Sequence, residues 1–160
     1  MNFYDKLDQA MASFSQHKGG FLTVKDAQSR VNTMTISWGF AGVMWGVPHF
    51  ITLVRPVRYT WELLKTADSF TVSFPFEGMD EALRICSVES GRDIDKSKVV
   101  TFQDAKSVAS PVVAGCDFYY ECKINYVDAM HGDKVPEAYQ KHYPEKDWHD
   151  FIFGEIVEIY

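Results

Sequence analysis

Cysteine is scarce in this chain, with Cys86, Cys116 and Cys122 the only three in 160 residues. They form neither the paired spacing of a zinc site nor an even secreted framework, so the expectation is reduced thiols packed in a cytoplasmic protein. Positive charge is short as well: 16 Lys and Arg face 22 Asp and Glu, for a formal net charge of -6. A general binder of nucleic acid or of an anionic membrane needs a basic surplus on one face, so the balance argues against both partners and any anion site must be local. No apolar run approaches membrane-spanning length, and the opening MNFYDKLDQAM has acidic residues where a signal peptide wants a basic flank.

Familiar catalytic signatures are missing too. GxGxxG and GxxxxGK[ST] do not occur, which leaves a Rossmann nucleotide site and a P-loop without support. HExxH and the GxSxG elbow are absent. DIDKSK opens at Asp93 like a calcium loop, but Lys98 stands where the turn glycine belongs. His142 and His149 are too loosely spaced to make a metal pair, so no metal is expected.

What is present is a single domain, 1–160, with a 46% hydrophobic composition that can bury one core. The aromatic share of 15% suits a β-rich fold or a site that stacks a planar ligand. Residues 3 to 16 place Phe3, Tyr4, Leu7, Ala10, Met11 and Phe14 at helical steps, ended by HKGG. The period then changes, and GFLTV, VNTMTISWGF, HFITLVR and SFTVSF read as strands. YTWELLKTAD and GMDEALRICSVES read as helices, and SGRDIDK as a turn. CDFYYECKINYVDAM and DFIFGEIVEIY add two strands, separated by a polar excursion with room for one short helix. Strands and helices do not alternate regularly, so a mostly antiparallel barrel is favoured over a doubly wound parallel sheet.

Two stretches carry chemistry. In LVRPVRYTWELL, residues 53 to 64, Arg55 and Arg58 flank Pro56 where a strand gives way to a helix. Arg58, Tyr59 and Thr60 at a helix N-terminus form a candidate phosphate cradle; equally, the two arginines pair with acidic neighbours such as Glu62 or Asp68. The strand NTMTISWGF is dense in small hydroxyls and carries Asn32 and Trp38, which suits edge hydrogen bonds to a planar heterocycle or plain sheet.

Taken in order, NTMTISWG, LVRPVRYTWELL, FTVSFP, CSVESGRDIDK and WHDFIFGEIVEIY resemble the flavin reductase-like, FMN-binding split-barrel family, in particular its flavoredoxin-like members. The resemblance implies a Greek-key split barrel, mostly β with a few flanking helices, a homodimer, and one FMN per subunit. It implies that Asn32, Thr33, Met34, Thr35, Ile36, Ser37 and Trp38 line the ring and ribityl side. It implies that Arg55, Arg58, Tyr59 and Thr60 serve the phosphate end, that Ser73 faces the cofactor, and that Ser90, Gly91, Arg92 and Lys96 of SGRDIDK close over it. His149 and Glu155 match the family's C-terminal HxxxxGE pattern, which makes His149 the candidate catalytic residue against flavin or nicotinamide, with a structural role as the alternative. Cys86-Ser87 replaces the family's frequent Cys-Gly, and Gly46-Val47-Pro48 its frequent Gly-Lys-Pro, the second removing a charge that could help a dinucleotide dock.

The activity implied is an NAD(P)H-dependent FMN reductase, with NADH or NADPH as co-substrate and hydride passing to flavin N5. One alternative is a flavoredoxin-like carrier that takes electrons from a redox protein. A remoter one is a non-catalytic barrel for another planar ligand or a protein partner.

Overall fold

A computed structural model describes residues 2–16 and 18–160. Helix α1 runs Leu7–Ser15 and buries Ala10 and Ser13. It starts later than residue 3 because Lys6 takes a left-handed backbone, φ 56, that no helix can continue through. Of the expected HKGG stop, His17 lies outside the described residues. Seven long strands follow: β1 Gly20–Lys25, β2 Val31–Ile36, β3 Gly39–Met44, β4 Val47–Val54, β5 Ser69–Phe74, β8 Phe118–Ala129 and β9 Asp150–Ile159. Helices α2 Tyr59–Leu64, α3 Asp80–Val88 and α4 Glu137–Gln140 and a small β6–β7 pair, Phe102–Gln103 with Val112–Val113, complete the chain. No helix among the described residues is long and apolar enough to cross a membrane.

The seven strands form one antiparallel sheet in the order β2-β1-β5-β8-β9-β4-β3. Its two edge strands, β2 and β3, are consecutive in the chain, joined only by Ser37 and Trp38. Six inter-strand gaps laid flat would part those edges by about 29 Å. The stretch from Ile36 to Gly39 reaches about 11 Å at most. The sheet must therefore curl until its edges nearly meet, leaving a seam at Ser37–Trp38. Two register shifts in the β8–β9 pair help it bend, one leaving Val157 of β9 and the other Asn125 of β8 without an opposite residue.

Packing agrees with that closure. Ile36 of β2 and Phe50 and Val54 of β4, near opposite edges, share one core with Phe70, Phe74, Phe118 and Tyr120. Burial of each such aromatic stabilises the barrel by roughly 2–3 kcal/mol. A second cluster lies outside the wall, where Phe21 meets Leu83 and Cys86 of α3 and Val100 and Val113. Strand β1 is thus covered on both faces, which is why its apolar residues run on without alternation.

The mostly β barrel with few helices is the architecture expected from the sequence. Two details differ. VNTMTISWGF is not one strand: β2 stops at Ile36, and Gly39 opens β3, where a Cβ would lie 2.6 Å from Phe50 Cζ, so only glycine passes so close to the core. The β6–β7 pair is too short to have left a periodic signal.

Candidate functional site

The seam opens on two hollows that meet at Met34, Arg58 and Ser87. The first is lined by Asn32, Thr33, Tyr59, Thr60 and the 86–92 segment with Lys96. The second is lined by Thr35, Ile36, Ser37, Trp38, Leu53, Arg55 and His149.

The floor of the first hollow is assembled by hydrogen bonds across elements. Asn32 Nδ2 on β2 donates to Thr60 Oγ1 on α2 at 2.8 Å, with both residues buried. Gly91 presses against that pair: a Cβ there would meet Asn32 Oδ1 at 2.1 Å and Tyr59 Cδ1 at 2.6 Å, a clash with a side chain that Thr60 already holds. Ser90 Oγ accepts from Arg92 N at 3.1 Å and shapes the turn.

Three cations converge here, with different tasks. Arg92 pairs with Glu62, donates to the Val57 carbonyl at 3.2 Å, and lies 5.5 Å over the Tyr59 ring. It staples the turn to the start of α2. Lys96 is buried and donates to the carbonyls of Glu89 at 2.6 Å and Cys86 at 3.4 Å, closing the end of α3. Burial pulls its pKa below the usual lysine value. Arg58 lines both hollows and makes no side-chain hydrogen bond or ion pair among the described residues. It is the one of the three cations whose side chain has no protein partner among the described residues.

Arg55 is not available in the same way. Its Nη1 donates to Asp147 at 2.7 Å and its Nη2 to the His142 carbonyl at 2.8 Å, so it ties the 142–149 segment to the end of β4. The acid that claims it is Asp147, not Glu62 or Asp68. Helix α2 has only six residues, too short for its dipole to rival the Arg58 charge.

Strand β2 divides its side chains. Thr33 is buried with its hydroxyl shared between Thr23 and the Leu22 carbonyl. Thr35 donates to the Leu83 carbonyl of α3 at 2.7 Å. Both hydroxyls therefore hold the wall together, and Met34 and Trp38 offer the apolar surface. Ser73 is not with this group: it is fully buried in β5, and its hydroxyl accepts from Val113 N at 3.1 Å, so the expectation that it faces a cofactor is corrected.

At the far end, His149 lies 4.9 Å from the Trp38 ring, tilted by 48°, and its Nδ1 is 2.7 Å from the Tyr143 hydroxyl. Burial, with the charges of Arg55 and Arg58 adding and Asp147 opposing, pushes the His149 pKa down to about 4. The ring is neutral at physiological pH. Tyr143, Ser87 and Leu53 were missed by sequence reasoning; Tyr143 stood in a polar excursion with no pattern to mark it. The site can grip one anionic group at Arg58, cover a planar body with Met34 and Trp38, and offer one neutral imidazole at the rim.

The family model described as "Flavin reductase like domain" matches residues 16–160. No curated protein matches the sequence. Among solved structures, an FMN-binding protein from Thermus thermophilus with bound 1-cyclohex-2-enone is 24% identical, with a TM-score of 0.70 over 88% of this chain and 68% of its own. A flavoredoxin from Methanosarcina acetivorans is 23% identical, with a TM-score of 0.69 over 88% of this chain and 66% of its own. An NADH:FAD oxidoreductase from Streptomyces globisporus is 19% identical, with a TM-score of 0.68 over 88% and 73%. At these identities the likeness is one of fold.

Proposed function

The chain belongs to the flavin reductase-like family, and from that premise we propose that its seam cleft binds FMN and that the protein is an NAD(P)H-dependent flavin reductase. The observation that carries this reading is Arg58, a cation without an acidic partner among the described residues, standing where a polar hollow and a Trp-walled hollow join. The donor set fits a flavin mononucleotide. Arg58 supplies a fork for a phosphate, Ser87 a hydroxyl at the junction, and Trp38 and Met34 polarisable surface for a ring system.

When bound, the flavin would supply the redox chemistry, taking a hydride equivalent from a reduced nicotinamide and passing two electrons to an acceptor. The chain's own work is binding and orientation. Arg92 and Lys96 hold the 86–92 segment as one wall of the phosphate end. Arg55 holds the 142–149 segment as the rim of the ring end. His149, neutral, offers a hydrogen bond without a second charge beside Arg58.

The homodimer has a supporting feature on the outer face. Phe40, Ile51, Phe153 and Tyr126 stand in one cross-strand row over β3, β4, β9 and β8, with Phe40 57% and Tyr126 45% exposed. A second copy seated on this row would cover it.

The test is an absorption spectrum of protein loaded with FMN and freed of excess, followed by anaerobic NADH and then NADPH. Flavin bands that bleach with either nucleotide support the reductase. Bands that persist until dithionite is added overturn it in favour of a carrier with another electron donor, and loss of all bands removes the flavin itself.

A further inference from the structure

We propose that Tyr143 is a positioning residue that fixes His149 in the tautomer bearing its proton on Nε2, so that this N–H serves as a hydrogen-bond donor to an acceptor atom on the flavin ring. The inference rests on the flavin reading of the cleft and assigns a task to a residue of the 131–149 excursion.

The argument starts from the Tyr143 hydroxyl. Tyr143 is buried, and its hydroxyl meets one partner among the described residues, His149 Nδ1 at 2.7 Å. The hydroxyl proton has one protein acceptor in reach among the described residues, and the proposed arrangement assigns it there. Nδ1 therefore accepts, and a neutral imidazole whose Nδ1 accepts carries its hydrogen on Nε2. The low His149 pKa, set first by burial, is consistent with that neutral ring.

Nε2 has no protein partner among the described residues. Nor is it sealed away: the buried polar atoms left without a partner are Thr52 Oγ1, Tyr120 OH and Asp147 Oδ1. His149 itself lines the second hollow, and in the proposed tautomer this N–H is directed into it. Its plane is fixed by Trp38 on one side, at 4.9 Å, and by the Tyr143 ring at 5.4 Å.

Tyr143 is in turn pinned. The Arg55 guanidinium lies 5.1 Å over its ring while bonding Asp147 and the His142 carbonyl. The chain of contacts runs from the end of β4 through Arg55 and Tyr143 to His149, so the donor is aimed before any ligand arrives.

The test is nitrogen-15 NMR of the His149 ring, first in flavin-free protein and then during an FMN titration, in wild type and in Tyr143→Phe. The expected wild-type pattern at neutral pH is a protonated Nε2 and a bare Nδ1, with the Nε2 resonance moving as FMN binds. In Tyr143→Phe the two tautomers mix, and FMN affinity falls about fivefold. A wild-type ring protonated on Nδ1, or a tautomer unchanged in Tyr143→Phe, overturns the proposal. FMN taken up with the Nε2 resonance unmoved overturns its ligand half while the flavin reading stands. No FMN uptake overturns that reading and the ligand half with it, a result kept separate by the tautomer measured before any flavin is added.

Discussion

Arg55 and Asp147, 92 positions apart in the chain, meet at 2.7 Å. That pairing separates two arginines which the sequence presents as equivalents across Pro56: Arg55 closes a loop, and the Arg58 side chain has no partner among the described residues.

The two substitutions should therefore differ in kind. Arg58→Ala should weaken FMN by about 10- to 100-fold and riboflavin little, because only FMN carries the phosphate. Arg55→Ala should weaken both flavins alike and lower Tm, since Asp147 and the 142–149 segment lose their tie. Parallel titrations with the two flavins and a melting curve check this; equal loss of both flavins in Arg58→Ala would remove the phosphate from Arg58.

Gly91→Ala should be costly although it adds one methyl. The new Cβ would fall 2.1 Å from Asn32 Oδ1. Asn32 cannot yield without releasing Thr60. A stability loss of about 1–3 kcal/mol in urea unfolding is expected, with FMN affinity reduced more than tenfold in the folded fraction.

For Thr35→Val the expected effect lies in stability. The Thr35 hydroxyl is committed to the Leu83 carbonyl at 2.7 Å, so its removal should cost about 1 kcal/mol. The spectrum and midpoint potential of bound flavin should stay as in wild type; a changed potential would show that the hydroxyl meets the ring after all.

Acid should destabilise the fold through His149. The ordinary histidine value is 6.5 and the folded value about 4. Between those limits the unfolded chain binds a proton that the folded chain does not, so stability is whole above about pH 6.5 and is lost as pH falls toward 4. The shift corresponds to about 3 kcal/mol, and solvent screening of the partly exposed ring reduces the expected loss to about 2 kcal/mol. Urea unfolding across this range should show the slope in wild type and a flatter one in His149→Gln.

Phe40→Glu should disrupt association if the outer row seats a second copy. Light scattering on a sizing column should then report the monomer mass for the variant and twice that for wild type; a monomeric wild type would dispose of this interface.

Much of this arrangement was legible in the sequence. The helical spacing of Leu7, Ala10, Met11 and Phe14 and of Ala82, Leu83 and Cys86 marked α1 and α3, because one-sided burial repeats at three and four residues. Strand β3 was hidden because Ala41 and Gly42 carry little apolar signal, and Ser37–Trp38 continues the look of the strand before it. The split between Arg55 and Arg58 was invisible for another reason: the deciding acid comes from a loop that only the fold brings near. Ser73 was given to the cofactor by the family resemblance, and nothing local announces that Val113 N waits for its hydroxyl.

The two-residue link between β2 and β3 has a consequence for traffic. Strands tied so tightly at their ends cannot part to admit a guest, so the barrel mouth does not widen. The rim opposite is the 142–149 segment, which Arg55 anchors through Asp147 and the His142 carbonyl, so opening the rim would cost those two bonds and leave the wall behind it untouched.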